Sequence, residues 1–473
     1  MKLHTKILLG LLIGALVGLL ANVAASHSDA WTFVIPALGW HVSPDGIVDF
    51  VNTFIATPVG QVFLRLLIMI VVPLIFASIA LGVAGLGDLR RVGRVGGKTI
   101  VYFVLTTALS ATVGLGLVHV FRPGTRITPE VRSELMTTYG TDAATKVEQS
   151  QNAKFGVNTL VDIVTRNPVR SAVNDDFLGV IFFSLIFGAA LTLIEAQRAR
   201  PMLGFLEALN DIVIKVVEMA MKLAPYGVAA LIFGVTSRFG MALLKPLAVY
   251  IAVVLLALLI HTLVNISLIV RFLVGVSPIR FFSRIRAPMV TAFSTSSSAA
   301  TLPASLVAAE QNLGIPSSVS GFVLPLGATM NMNGTSIYEA VTIIFLAQVF
   351  GVSLSLGEQV VVVIMAVLTA IGAAGVPGGS IPLLIGILVY FHVPGEAIAL
   401  ILGVDRILDM SRTTVNVIGD LGATAYIAKT ERMWDASMIP ERVPEVGEAP
   451  LDDSPGWPPP APAAVNAGEA QQS

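Results

Sequence analysis

The chain has 473 residues, 55% of them hydrophobic and 12% charged, with a net charge of -1 and a mean hydropathy of +0.83. So few charges exclude a soluble globule of this size, the balanced charge excludes a basic nucleic-acid footprint, and the lack of cysteine excludes disulfides and thiolate metal sites. Apolar runs of about 20 residues, the length that crosses about 30 Å of hydrocarbon, predict an all-α polytopic membrane protein.

Met1 to Lys6 is a basic start to the apolar run 7–25, and Asn22-Val23-Ala24-Ala25 resembles a signal-peptide cleavage site. The run is long for a signal peptide and more spans follow, so it is read as a first transmembrane helix. Gly10, Gly14 and Gly18 within it permit close helix packing. Further spans fall near 54–87, 99–121, 177–195, 204–237 and 243–274. Arg90, Arg91, Arg94 and Lys98 follow the second span, Arg198 and Arg200 the fourth, and Arg280, Arg284 and Arg286 the sixth. Together with Lys2, Lys6, Lys429 and Arg432 they predict cytoplasmic loops and two cytoplasmic termini. The segment 122–175 holds both signs of charge and no long apolar run, so it reads as an external loop. The Pro- and Ala-rich tail, 440–473, reads as disordered.

From about 277 to 430 the apolar stretches are interrupted, and the interruptions carry the chemistry. Thr295-Ser296-Ser297-Ser298-Ala299-Ala300-Thr301-Leu302-Pro303 breaks one stretch. A helix broken there leaves free N–H groups at the positive end of a half-helix, an anion site. An ordinary polar surface loop is the bland alternative. Gly327-Ala328-Thr329-Met330-Asn331-Met332-Asn333-Gly334-Thr335 interrupts the span 316–350 with poor helix formers. Unwound there, the chain turns carbonyls inward, as a desolvated Na⁺ requires; unbroken, it is a kinked packing helix. Ala373-Ala374-Gly375-Val376-Pro377-Gly378-Gly379-Ser380 joins two short arms, 355–372 and 381–392, and reads as the tip of a re-entrant hairpin. The stretch 277–313 has the same form. Two pairs of hairpin and helix suggest an inverted repeat with its site where the tips meet.

Helix 394–428 gives the strongest signal. Asp405, Asp409, Arg412, Thr413, Asn416 and Asp420 recur every three or four residues on an otherwise apolar helix, and Arg406 lies beside them. Charges at membrane depth face the interior and mark substrate or ion paths. A structural ion pair between Asp409 and Arg412 does not account for the Asn, Thr and further carboxylate on the same face.

In this order, the motifs SSSAATLP, GATMNMNGT, AAGVPGG and DRILDMSRTTVNVIGD resemble the dicarboxylate/amino acid:cation symporter family, over roughly residues 5–432. The resemblance implies eight transmembrane helices, two re-entrant hairpins, a homotrimer in the prokaryotic inner membrane, and an elevator motion. Residues 1–98 and 122–237 would form scaffold helices 1, 2, 4 and 5 with the external loop. Residues 99–121 and 243–432 would form the transport domain. The substrate implied is an acidic amino acid, carried with Na⁺ or H⁺. Arg412 would hold its side-chain carboxylate and Asp409 its amine. Ser298, Thr335, Val376, Ser380, Thr413 and Asn416 would complete the site. One sodium ion would use Asp420 with carbonyls of Gly327, Asn331 and Asn416. A second would lie near Thr329 and Met332 with carbonyls of Ala370, Ile371 and Ala373. A third would use Thr106, Thr107, Asn331 and position 333.

The chain departs from this pattern at Asn333, where the family usually has aspartate, so the third cation site loses its charge. Proton-coupled relatives tend to lack the carboxylate found here as Asp420. C4-dicarboxylate relatives lack the one found here as Asp409, which argues for an amino acid over a C4-dicarboxylate. Arg406 matches a basic residue of many bacterial members, and a local countercharge is its bland reading. A membrane hydrolase built on the serine run needs a base, most often histidine. None of the six histidines lies near a polar motif in sequence. A closed, charge-matched site suits a carrier better than an anion channel.

Overall fold

The computed structural model describes residues 3–26, 33–35, 40–84, 89–129, 131–133, 135, 164–173, 177–373 and 375–440. Lys2, Ala374, most of the expected external loop and the tail beyond 440 lie outside the described residues, as do the side chains of Arg90, Arg91 and Arg94.

Helix α1 (Leu3–Ser26) leads through a ribbon of two three-residue strands, β1 (Phe33–Ile35) and β2 (Trp40–Val42), into α2 (Pro44–Val51). Ser43 caps α2, accepting from the Gly46 N–H, and a π turn at Asn52–Ala56 passes the chain to α3 (Thr57–Ile68) and α4 (Val71–Ala84). Next come α5 (Leu89–Phe121), α6 (Phe177–Leu191) and α7 (Ala196–Phe239). The expected span 204–237 thus begins earlier. Its 44 residues amount to about 66 Å of helix, twice a hydrocarbon core.

Gly10, Gly14 and Gly18 face α7 so closely that a Cβ would meet Pro225 O at 2.3 Å, Ala229 O at 2.4 Å and Thr236 Oγ1 at 1.9 Å. The two helices therefore pack backbone to backbone. α7 also packs on α3 and α4, and α4 on α6. These helices make one body. Among the described residues, five helical segments are long and apolar enough to cross a membrane: Thr5–Ser26, Pro44–Leu81, Val95–Arg126, Ala196–Phe239 and Met241–Val274.

The second body is built around α13 (Asn333–Phe350). It comprises α5, α8 (Met241–Ile260, continued by π turns to Val274), α9 (Pro278–Arg284), α10 (Arg286–Thr295), α11 (Ser298–Val307), α12 (Ser317–Met330), α14 (Leu356–Gly372), α15 (Ile381–Tyr390) and α16 (Ala399–Thr430). Every residue of α13 except Gln348 is buried, Asn333, Thr335, Ser336, Glu339 and Thr342 included. α5, α8, α14 and α16 pack on it.

All three sequence breaks are breaks between helices in the fold. α10 stops because Ser296 turns left-handed at φ 52°, and Ser297 restarts the chain as N-cap of α11 by accepting from the Ala300 N–H. Asn331 and Met332 separate α12 from α13. α14, begun by a Ser355/Glu358 capping box, connects to α15 through a tip in which Gly378 has φ 74°. The two tips touch: Ser297 Oγ donates to Gly375 O at 2.6 Å, and Ala299 N–H to the same oxygen at 3.3 Å.

One end of the molecule gathers basic groups. Lys98 pairs with Glu431 at 2.5 Å, Arg280 donates to Ile439 O, Arg284 to Pro440 O, and Trp434 Nε1 to Leu313 O. Loops expected on one side of the membrane therefore lie together.

Candidate functional site

The polar stripe of α16 faces inward. Asp405, Arg406, Asp409, Arg412, Thr413, Asn416 and Asp420 are all buried, and Asp405, Arg406, Asp409 and Arg412 offset one another as ion pairs. Arg412 Nη1 lies 3.2 Å from Asp405 Oδ1, while its Nε and Nη2 lie 3.2 and 3.1 Å from Asp409 Oδ1. The guanidinium sits over the Tyr338 ring, 4.2 Å from its centroid, where the π face attracts a cation. Arg412 is thus braced on three sides. The second oxygen of Asp409 accepts from the Gly378 N–H at 3.0 Å and stands 3.6 Å from Arg406 Nη1. Thr413 Oγ1 is 3.5 Å from Asp409 Oδ1.

Across from this stripe is the break before α13. The first amides of a helix have no partner within it. Asn416 supplies one: its Oδ1 accepts from Gly334 N–H at 2.7 Å and Thr335 N–H at 3.3 Å, and its Nδ2 donates to Thr335 Oγ1 at 3.2 Å. The approach needs glycine at 334, because a Cβ there would lie 2.2 Å from Arg412 O. Asn416, expected to touch substrate, thus also joins α16 to the start of α13 through its oxygen and one of its N–H groups.

A small cavity lies between these parts. Hairpin α10–α11 contributes Ser296 and Ser298; the other tip contributes Ala373, Gly375, Val376 and Ser380. Met332 and Thr335 come from the break, and Asp409, Arg412, Thr413 and Asn416 from α16. All eight residues expected to touch substrate line this one space. The hydroxyls of Ser296 and Ser380 are buried without a hydrogen-bond partner among the described residues.

The expected cation ligands divide. Asn331 Nδ2 donates to Asp420 Oδ1 at 3.0 Å, Thr106 Oγ1 to Asn331 Oδ1 at 3.4 Å, and Thr107 Oγ1 to Asn333 Oδ1 at 3.0 Å. Gly327 abuts the same carboxylate, since a Cβ would lie 2.6 Å from Asp420 Oδ1. Gly327, Asn331, Asn333, Asp420, Thr106 and Thr107 therefore form one buried polar cluster, whereas Asn416 belongs to the cap of α13. Of the other set, Met332 and Ala373 line the cavity, Ala370 is buried and Ile371 partly buried. Thr329 does not join them: it is exposed, and its hydroxyl bonds back to Leu326 O at 3.0 Å.

Four residues of this region were not among the expected site residues. Asp405 shares Arg412, Tyr338 supports it, and Ser296 faces the cavity. Glu339 is fully buried and accepts from Thr369 Oγ1 at 2.6 Å. A lone carboxylate inside an apolar span was the available signal for Glu339.

A statistical model of the sodium:dicarboxylate symporter family matches residues 3–430. The chain belongs to the sodium:dicarboxylate symporter family. Its curated relatives include the proton/glutamate-aspartate symporter of Escherichia coli (strain K12), 35% identical over 82% of this chain and 88% of that protein. The proton/sodium-glutamate symport protein of Bacillus subtilis (strain 168) is 35% identical over 82% of this chain and 90% of its own length. A C4-dicarboxylate transport protein of Xanthomonas campestris pv. campestris (strain B100) is 36% identical over 87% and 90%. These are transporters, and this family member is a multi-pass membrane transporter rather than an enzyme.

Proposed function

We propose that this symporter imports an acidic amino acid, aspartate or glutamate, together with cations, Na⁺ foremost, by an elevator motion. The observation that carries the reading is Arg412, buried in the cavity wall and held between Asp405 and Asp409. The ligand's side-chain carboxylate takes the two-point guanidinium fork, and its amine takes Asp409. Its α-carboxylate takes the hairpin tips and the spare N–H of Asn416. Every ligand charge then has a partner. The cluster around Asp420 supports sodium as the coupling ion. Asn333 offers only a neutral oxygen, already bound by Thr107, which supports fewer sodium ions per cycle than a carboxylate there would give.

A second reading is proton coupling. It is favoured by Glu339, whose buried carboxyl has no cationic partner among the described ion pairs. A C4-dicarboxylate substrate is the other alternative.

The packing of α1, α3, α4, α6 and α7 on one another supports a scaffold of residues 1–98 and 122–237. The gathering of α5 with α8 to α16 supports a transport domain of 99–121 and 243–432. Within this reading the protein has eight crossings and two re-entrant hairpins. It is a homotrimer of the prokaryotic inner membrane with both termini and the 440–473 tail in the cytoplasm.

The test is uptake of labelled aspartate, glutamate and succinate into proteoliposomes under imposed Na⁺ or H⁺ gradients. Acidic amino acids should accumulate under a sodium gradient. Accumulation under a proton gradient alone would reject sodium coupling, and failure to accumulate either amino acid would reject the substrate.

A further inference from the structure

Arg406 is a charge that the proposed function leaves unused. It is buried on α16 and lies outside the residues that line the cavity. Its Nη1 stands 3.6 Å from Asp409 Oδ2, close enough for an ion pair and too long for a hydrogen bond. Neither its Nε nor its Nη1 has a hydrogen-bond partner among the described residues. A desolvated guanidinium with unspent donors is costly unless it offsets a nearby charge. Asp405, its neighbour in sequence, is already committed to Arg412. Asp409 is the carboxylate that Arg406 answers.

Asp409 is also where the proposed function docks the ligand's amine, and this inference rests on that reading. Two carboxylates, Asp405 and Asp409, are balanced by two guanidiniums, Arg406 and Arg412. Without Arg406 the set would carry one excess negative charge. An ammonium on the ligand could answer it, whereas a ligand with two carboxylates and no amine could not.

We propose that Arg406 is a specificity-determining residue, a built-in substitute for the ligand's ammonium at Asp409. It lets one cavity hold amine-free dicarboxylates as well as acidic amino acids. Asp409 Oδ1 is held by Arg412, and Oδ2 by the Gly378 amide at 3.0 Å. The Arg406 contact is the longest and lacks a hydrogen bond, so it yields when an amine arrives. An amine-free dicarboxylate displaces nothing from Asp409. The presence of Asp409 therefore does not by itself exclude a C4-dicarboxylate, contrary to the expectation from sequence.

The test is competition of succinate and aspartate against labelled aspartate on the purified full-length protein, unmodified and as Arg406→Gln and Arg406→Lys. Succinate should compete in the unmodified protein. Arg406→Gln should move the succinate-to-aspartate affinity ratio against succinate by at least about tenfold, and Arg406→Lys should restore most of it. Equal loss of both ligands in Arg406→Gln would overturn the proposal, as would aspartate binding without succinate competition in the unmodified protein. Asp409→Asn gives a reading that does not need the glutamine variant to fold: aspartate should weaken while succinate binds at least as tightly, and a parallel loss of succinate would count against Arg406. If labelled aspartate fails to bind the unmodified protein, the amino-acid reading fails instead. Direct calorimetric titration with succinate then still decides the role of Arg406.

Discussion

A guanidinium has five N–H donors; Arg412 spends its Nε–H on Asp409 and one Nη1–H on Asp405, and its Nη2 stands 3.1 Å from Asp409. Its terminal nitrogens keep donors for a ligand carboxylate. Replacing Arg412 removes the partner of two buried carboxylates at once. Breaking one such buried pair costs about 3–5 kcal/mol, more than about a hundredfold in affinity. Arg412→Cys should therefore lose aspartate and glutamate by at least that factor and gain small neutral amino acids such as serine. Competition binding of aspartate, serine and succinate to both proteins measures it, and equal aspartate affinity would show that Arg412 does not read the side chain. The α16 stripe was legible because charges at three- and four-residue spacing stand out in an apolar helix. The choice between Asp405 and Asp409 as partner was not legible: both share that stripe, and side-chain conformation makes Arg412 bridge the two. The serine run was ambiguous for a related reason. Ser296, Ser297 and Ser298 are chemically alike, and only the left-handed turn at Ser296 decides that Ser297 caps α11 while Ser296 faces the cavity.

At the scale of elements, the junction of α13 with α16 holds the site together. Asn416 caps α13, and Gly334 lets the two backbones meet. Gly334→Ala places a methyl carbon 2.2 Å from Arg412 O, a collision with backbone that only displacement of α13 or α16 relieves. Overpacking of this kind costs about 1–3 kcal/mol, and here the displaced backbone belongs to Arg412 itself. The variant should lose both thermal stability and substrate affinity, whereas Gly97→Ala, where a Cβ meets nothing within 4 Å, should lose neither. Thermal unfolding in detergent, with and without aspartate, separates the two. The break itself was readable from Asn331, Met332 and Asn333 as poor continuation of a helix. Glu339 was signalled as a lone carboxylate in an apolar span, but Tyr338 was not readable as a site residue, because only the crossing of α13 over α16 brings it to Arg412.

At the scale of the whole molecule, the polar cluster of Asn331, Asn333, Asp420, Thr106 and Thr107 lies where α5, the α12–α13 break and α16 meet. Its one carboxylate is Asp420. Asn333→Asp adds a second anionic oxygen beside Thr107, and oxygen ligands with charge are what a hard cation binds best. The variant should transport with one more sodium ion per substrate, read from reversal potentials in proteoliposomes. An unchanged stoichiometry would remove Asn333 from the coupling scheme. The membrane class and the order of helices followed from hydropathy, since span length and broken spans are both written locally. The grouping of the helices did not: α5 and α1 are both apolar enough to span a membrane, and that α5 packs on α13 and α1 on α7 is seen only in the fold.

The meeting of the hairpin tips has a kinetic meaning. Three hydrogen bonds tie the α14–α15 tip down: Ser297 Oγ and Ala299 N–H to Gly375 O, and Gly378 N–H to Asp409. At a net worth of about 1 kcal/mol each, they oppose the parting of the two tips by roughly 3 kcal/mol, a parted fraction near one in two hundred. Under the proposed function, a ligand that enters between the tips associates more slowly by the same factor, however fast the encounter at the surface. Dwell time inside the cavity is then set by how often the tips part as well as by how tightly Arg412 grips its cargo.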